Sequence, residues 1–78
     1  MAEDLPIIFS RHALLKLEHR NLTKEMVVAV ITKPSYLILA GDKFHAYRRL
    51  GKLYLKVIFV RTTNVIIVLT QHFVKKVP

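Results

Sequence analysis

The sequence predicts an α+β fold in which two N-terminal helices pack on one face of a four- to five-stranded antiparallel sheet. Apolar residues recur at helical spacing between positions 11 and 33. Three later runs, between positions 43 and 74, are rich in β-branched and aromatic residues and are separated by short turn sequences. A chain of 78 residues has room for one hydrophobic core, so we expect a single domain with a structured core over about residues 6–74.

Capping residues mark the two helices. Ser10 is a favourable N-cap for a helix over residues 11–20, and Thr23 is one for a helix over residues 24–33. Pro34 disfavours the helical conformation of the residue before it and therefore ends the second helix.

The strands predict two chemically different faces. Residues 6–9 are an optional short edge strand, and residues 36–40 form an apolar strand ahead of the three-strand meander. If Gly51 and Lys52 form a two-residue hairpin loop, Arg48 lies opposite Leu55 on a face that is otherwise apolar. The other face then carries basic and aromatic residues. Its cross-strand pairs are Arg49 with Tyr54, Tyr47 with Lys56, and His45 with Ile58.

The position of Thr70 and His72 depends on the next turn. A two-residue loop places both beside Arg48 on the apolar face. A three-residue loop with Asn64 in a left-handed conformation, or a β-bulge, moves them beside Tyr47 and the other basic and aromatic residues. The sequence leaves both registers open.

Charge is distributed unevenly along the chain. Residues 43–78 contain eight Lys or Arg and no Asp or Glu, whereas residues 1–42 contain five of each sign. The net charge of +8 points first to nucleic acid, second to an acidic protein and third to a membrane surface as the partner. The apolar run at residues 65–69 exceeds what a half-exposed sheet needs, which indicates a homodimer or a protein partner.

Composition also indicates a location. The chain has no cysteine, which fits a reducing cytoplasm, and no segment approaches the roughly 20 apolar residues of a membrane span. The start of the chain is acidic and too short in apolar residues for a signal peptide. We therefore expect a cytoplasmic protein that does not bind membranes.

Two histidines are the candidate acid and base. His12 follows the N-cap Ser10, where free backbone N–H groups attract a phosphate and favour the neutral imidazole of a general base. His72 is the complementary acid, and Arg48 or Arg49 would stabilise a pentacovalent phosphorane. With Tyr47 orienting the sugar or stacking on a base, this set suits metal-independent RNA cleavage by the 2′-OH.

Other polar residues suit binding rather than catalysis. No HxxxH or HxH pair exists and every acidic residue precedes Lys43, so we expect neither a metal site nor a cofactor. Arg11 at a helix N-terminus is locally unfavourable unless Glu3, Asp4 or a bound phosphate lies nearby. Phosphate binding on a solvated sheet face is expected of Arg49, Lys52 and Lys56.

Three stretches together resemble a known family. The chain reads FSRHALLKLEHRNLTKEMVVAVITKP, then HAYRRLGKLYLKVIFV, then VIIVLTQHF, over about residues 9–73. This pattern is similar to small uncharacterised domains grouped with RelE/ParE-like and BrnT-like toxins. The resemblance implies a RelE-like, microbial-ribonuclease-like fold and, for many members, mRNA cleavage by the toxin of a toxin–antitoxin pair. Matched by position, it implies site roles for His12, Arg20, Tyr47, Arg48, Thr70 and His72.

The leading hypothesis is a toxin-type, metal-independent endoribonuclease in which His12 and His72 transfer protons and Arg48 holds the phosphate. One alternative is a non-catalytic module that binds nucleic acid through its basic residues. The other is the interaction subunit of a toxin–antitoxin-like pair, with an acidic antitoxin-like protein on the basic face.

Overall fold

A computed structural model describes residues 5–78, which form seven secondary-structure elements. In chain order they are β1 Ile7–Phe9, α1 Arg11–His19, α2 Lys24–Thr32, β2 Tyr36–Ala40, β3 Lys43–Leu50, β4 Leu53–Arg61 and β5 Ile66–Val74. Among residues 5–78, no helix has the length and apolar character required to cross a membrane.

The five strands form one mixed sheet in the order β1-β5-β4-β3-β2. The α+β class and the two N-terminal helices are confirmed. The expectation of a wholly antiparallel sheet was wrong, because β1 pairs with β5 in parallel, with Ile7 opposite Ile66 and Phe9 opposite Val68. The long connection permits this parallel pairing, since α1, α2 and three strands separate β1 from β5 and no single hairpin joins the two strands directly.

Both predicted N-caps are confirmed. The Ser10 and Thr23 side chains accept hydrogen bonds from the backbone N–H groups of Ala13 and Met26, each at 3.1 Å. Helix α1 ends in a left-handed residue, Asn21, with φ of 54°. The N–H of Leu22 then donates to the carbonyl of Leu17 at 3.0 Å, which is the bond of a Schellman motif.

The hydrophobic core lies between the helices and one face of the sheet, which we call the helix face. The buried side chains of both helices pack against every second side chain of the strands, those that point to the helix face. The buried set comprises Ala13, Leu17, Leu22, Val27, Val30, Ala46, Leu55, Val57, Phe59 and Val68.

The β3–β4 hairpin has the predicted register. Arg48 lies opposite Leu55, Tyr47 opposite Lys56 and Arg49 opposite Tyr54. Gly51 has a φ of 67°, as the first central position of a type II′ turn requires.

A β-bulge sets the register of β5. Ile58 lies opposite Thr70 but Phe59 lies opposite Val68, so Leu69 is the extra residue on β5. Of the two registers that the sequence allowed, the bulged one is therefore present. Because side chains alternate along a strand, the extra residue sends Thr70 and His72 away from the helices.

Candidate functional site

The sheet face opposite the helix face, which we call the open face, carries a row of polar and aromatic residues across four strands. Tyr36 on β2 lies opposite Tyr47 on β3, Tyr47 lies opposite Lys56 on β4, and Lys56 lies opposite His72 on β5. We call these four residues the cross-strand row. With neighbouring strands about 4.8 Å apart, the row is about 14 Å long.

Neighbouring positions extend the row along the strands. On one side Arg49 lies opposite Tyr54, and on the other Ile58 lies opposite both His45 and Thr70. Arg49 is held near the hairpin turn, where its Nε donates to the Gly51 carbonyl at 3.0 Å. Lys52 is exposed in that turn. The basic and aromatic residues therefore occupy the end of the open face near the β3–β4 hairpin.

The tyrosines of this surface differ in exposure. Tyr36 is 49% exposed, whereas Tyr47 is only 4% exposed. The Lys56 ammonium lies 5.6 Å from the centre of the Tyr47 ring, in a cation–π arrangement. With Lys56 in this position, the ring of Tyr47 supports the lysine rather than offering a platform to a base. Tyr36 and the partly exposed Tyr54 are the accessible aromatic residues.

His72 lies in a partly buried and positively charged environment. Burial lowers the pKa of His72 below its usual 6.5, and the charges of Lys56, Arg20 and Lys16 lower that pKa further. Burial, followed by the charge of Lys56, also lowers the pKa of His45. The charges that lower the pKa of both imidazoles belong to lysine and arginine side chains, so this part of the surface is cationic.

Helix α1 reaches the His72 end of the row because two side chains attach it to β5. The Ser10 hydroxyl donates to the Leu69 carbonyl at 3.1 Å, and the Gln71 amide donates to the Ala13 carbonyl at 2.9 Å. The second turn of α1 then brings Lys16 close to His72. Sequence patterns could not predict this approach, because residues 16 and 72 lie far apart in the chain on elements joined by tertiary contacts.

Gln71 is a structural residue that sequence reasoning missed. It is completely buried on the helix face beside Val57, and its Oε1 has no hydrogen-bond partner among the described residues. The polar residues on either side of it, Thr70 and His72, were the sequence signal. If these two side chains point to the outer face of the sheet, the residue between them must point into the core.

Arg48 does not join His72. It lies on the helix face, where its guanidinium donates to the carbonyl of Lys33 at 2.9 Å. Lys33 is the C-cap of α2, so Arg48 satisfies a backbone acceptor that the end of the helix leaves free. The sequence placed Arg48 and His72 in one phosphate site, whereas the bulge puts them on opposite faces of the sheet.

The remaining predicted residues lie on or after α1. Arg11, His12 and Arg20 are exposed, and the side chain of His12 makes no hydrogen bond or ion pair with any residue from 5 to 78. Glu3 and Asp4, the expected neighbours of Arg11, lie outside the described residues. Of the two proton-transfer groups proposed from the sequence, only His72 therefore lies on the cross-strand row.

The cross-strand row extends over the surface of four strands. Two depressions lie away from the row, one lined by Leu5, Arg61, Thr62 and Thr63, and the other by Lys24, Glu25, Val28 and Ala29. Within residues 5–78, no group of three or more His, Asp or Glu side chains is placed to hold a metal ion. A broad, cationic and aromatic surface of this kind fits an extended anionic ligand better than a small molecule.

Comparisons with known proteins do not indicate the function of this surface. Neither a scan against protein-family models nor searches of curated proteins and of solved structures found a match.

Proposed function

We propose that the protein binds single-stranded RNA on the open face, along the cross-strand row. The observation that carries this proposal is the register Tyr36–Tyr47–Lys56–His72, which places aromatic and cationic side chains side by side on four adjacent strands. Proteins that bind single strands combine cationic side chains that follow the phosphates with aromatic side chains that stack on bases. Helices on one face and an exposed aromatic sheet on the other suit this mode of binding.

The residues proposed to bind phosphates and those proposed to stack on bases lie in different parts of this surface. The charges of Lys56, Arg20 and Lys16 lower the pKa of His72, and these side chains would supply the positive charge for a phosphate. Tyr36 and Tyr54 lie toward β2 and the hairpin and supply exposed rings for bases. An RNA strand on this face would therefore place its backbone near β5 and stack bases on Tyr36 of β2 and Tyr54 of β4.

Fluorescence anisotropy with a labelled single-stranded RNA tests this proposal. We expect Tyr54→Ala to weaken binding at least about fivefold, because one base stack is worth about 1–3 kcal/mol. Lys56→Ala should also weaken binding, and Lys24→Ala, which removes the same charge from α2, should leave it nearly unchanged. Equal effects of Lys56→Ala and Lys24→Ala would remove the open face as the binding surface.

Cleavage of the bound RNA is a second candidate function, favoured by the position of His72. A half-buried imidazole that stays neutral near pH 7 suits a general base for the 2′-OH, and the neighbouring Lys56 would stabilise the charge on the phosphorane. This scheme reverses the roles predicted from the sequence, so that His12 becomes the proposed acid, and Thr70 lies next to His72 on the same face. Arg48 is replaced in this scheme by Lys56, because Arg48 lies on the helix face.

Incubation of the purified protein with RNA in EDTA tests cleavage separately from binding. We expect products with 2′,3′-cyclic phosphate ends, and we expect His72→Ala to abolish them while much of the RNA affinity remains. Intact RNA at every pH from 5 to 8 would reject the nuclease and leave the binding module.

The toxin role is part of the same proposal. A RelE-like toxin fold is supported by the residue matches at His12, Arg20, Tyr47, Thr70 and His72, and by the net charge of +8, which suits an acidic antitoxin-like partner. The gene beside this one should then encode a short acidic protein that co-purifies with the chain. A chain that is not toxic on expression, and that has no such neighbour, would favour a solitary RNA-binding module.

A further inference from the structure

Strand β2 forms one border of the sheet and exposes apolar residues on both of its faces. It pairs with β3 on one side and with no described strand on the other. Tyr36 is 49% exposed, Leu37 53% and Leu39 61%. Tyr36 lies on the open face, whereas the two leucines lie on the helix face beyond the part that α2 covers.

This border lacks the features that keep free sheet edges from pairing. The strand reads YLILA, without a charge or a proline, and it pairs with β3 without a bulge. The opposite border is different, because β1 has only three residues and the chain turns into α1 immediately afterwards. An unprotected apolar edge of five residues is a site for the addition of another strand.

We propose that β2 pairs with β2 of a second copy of this chain, antiparallel across a two-fold axis, so that two five-stranded sheets become one continuous sheet. In a two-fold interface each residue contacts its own counterpart or a reciprocal partner. Pairing centred on Ile38 places Leu37 opposite Leu39 of the second copy on the helix face. The same register places the large Tyr36 opposite the small Ala40 on the open face.

The ends of the seam bring opposite charges together in this register. Pro34 would lie opposite Asp42 of the second copy and Lys33 opposite its Lys43, so the Asp42 carboxylate would lie between two lysines. The side chain of Asp42 is 87% exposed, and its ion-pair contact is with the adjacent Lys43 at 3.4 Å. Two identical Lys33–Asp42 contacts, one at each end, would therefore form across the seam.

The net charge of +8 does not prevent this association. Lys56 lies two strands inside the border, so the Lys56 side chains of the two copies would be about five strand spacings apart, or about 24 Å. The Debye length at physiological salt is about 8 Å, so these charges are screened from one another. An acidic peptide would instead meet five uncharged residues in β2, and for this reason we favour the second copy.

Analytical ultracentrifugation from about 5 to about 500 µM tests the seam, since a five-residue pair buries an area near the lower limit for specific interfaces. We expect the wild-type chain to pass from monomer to dimer over this range. Leu39→Lys should remain monomeric throughout, with an unchanged circular dichroism spectrum. The matched control is Leu15→Lys on α1, which replaces a leucine of similar exposure, 54%, and should dimerise like the wild type.

A charge exchange tests the register. Asp42→Lys should weaken the dimer several-fold, and the double variant Asp42→Lys with Lys33→Asp should restore it. A wild-type chain that stays monomeric, a Leu39→Lys chain that dimerises, or a border that binds only an acidic peptide would overturn the proposal. The dimer does not depend on RNA binding, because Leu39 lies on the helix face and the monomeric variant should still bind RNA.

Discussion

Gln71 shows how one buried polar side chain joins two elements. Its amide donates to the Ala13 carbonyl at 2.9 Å, and its Oε1 is buried without a partner among residues 5–78. A buried hydrogen bond contributes about 0.5–1.5 kcal/mol, whereas a buried unsatisfied group costs about 1–3 kcal/mol. The two effects nearly offset each other, so the main contribution of Gln71 is the volume that it fills in the core.

We therefore predict that Gln71→Leu changes the free energy of unfolding by less than about 1 kcal/mol, because leucine retains most of the volume. Gln71→Glu should destabilise the protein by about 3 kcal/mol or more at pH 7, because it buries an unpaired charge. Urea denaturation measures both. If Gln71→Leu proved as destabilising as Gln71→Glu, the hydrogen bond would dominate and this explanation would be wrong.

The proposed RNA binding would depend on pH through His72. Burial and three positive neighbours lower the pKa of the free imidazole below 6.5, whereas a bound phosphate would raise the pKa of the same group. Between these two pKa values, RNA binding is accompanied by uptake of one proton. The affinity for RNA must then rise as pH falls through the pKa of the complex, and it becomes constant below the pKa of the free protein.

We predict that lowering the pH from 7.5 to 5.5 tightens RNA binding, by at most about tenfold per pH unit for this one proton. His72→Gln should remove most of the increase, whereas His45→Gln, on the next position of the open face, should retain it. Anisotropy titrations at constant salt measure the effect. An unchanged pH dependence in His72→Gln would assign the proton to another histidine.

Among the elements, the first turn of α1 and the bulge of β5 depend on each other. Ser10 accepts from the Ala13 N–H as the N-cap and also donates its hydroxyl proton to the carbonyl of Leu69, the bulged residue. Thr23 performs only the first task for α2. The hydroxyl of Ser10 thus helps to hold the register that directs Thr70 and His72 to the open face.

Replacement of each cap by alanine separates these two tasks. We predict that Thr23→Ala lowers the free energy of unfolding by about 1 kcal/mol, the usual loss for a cap, and that Ser10→Ala lowers it by about 2 kcal/mol. Thermal or urea denaturation measures both. Amide exchange of residues 68–72 should accelerate in Ser10→Ala only, and equal exchange in the two variants would contradict the link to the bulge.

For the protein as one body, positive side chains lie on both sides of the sheet, and what matters is which of them contact the proposed RNA. Lys24 and Arg48 lie on the helix side, whereas Arg49 and Lys56 lie on the open face near the hairpin. A polyanion bound to such a face releases counterions in proportion to the phosphates that it contacts. The dependence of affinity on salt therefore reports which lysines contact RNA.

We predict that the logarithm of RNA affinity falls linearly with the logarithm of salt concentration, and that Lys56→Ala reduces the slope by about 0.7 for the one phosphate lost. Lys52→Ala in the hairpin should have a similar effect. Lys24→Ala on α2 should weaken binding slightly without changing the slope. A slope that changes equally in all three variants would indicate diffuse attraction rather than a defined surface.

Much of the fold could be predicted from short-range patterns. Ser10 and Thr23 marked the helix starts because a cap acts within three residues, and Gly51 marked a hairpin because a two-residue turn sets the phase of both strands. The parallel pairing of β1 could not be predicted, because its partner lies 59 residues away and the two strands share no turn.

What the sequence alone determined is therefore local: the limits of the helices, the phase of the β3–β4 hairpin and the uneven distribution of charge. The tertiary structure decided which side chains meet. A single extra residue, Leu69, turned His72 toward Lys56 and away from Arg48, and the attachment of α1 to β5 brought Lys16 to the same end of the row. The physical reason is that side chains alternate along a strand, so a shift of one residue moves every later side chain to the other face, and its cause lies in contacts with a distant element.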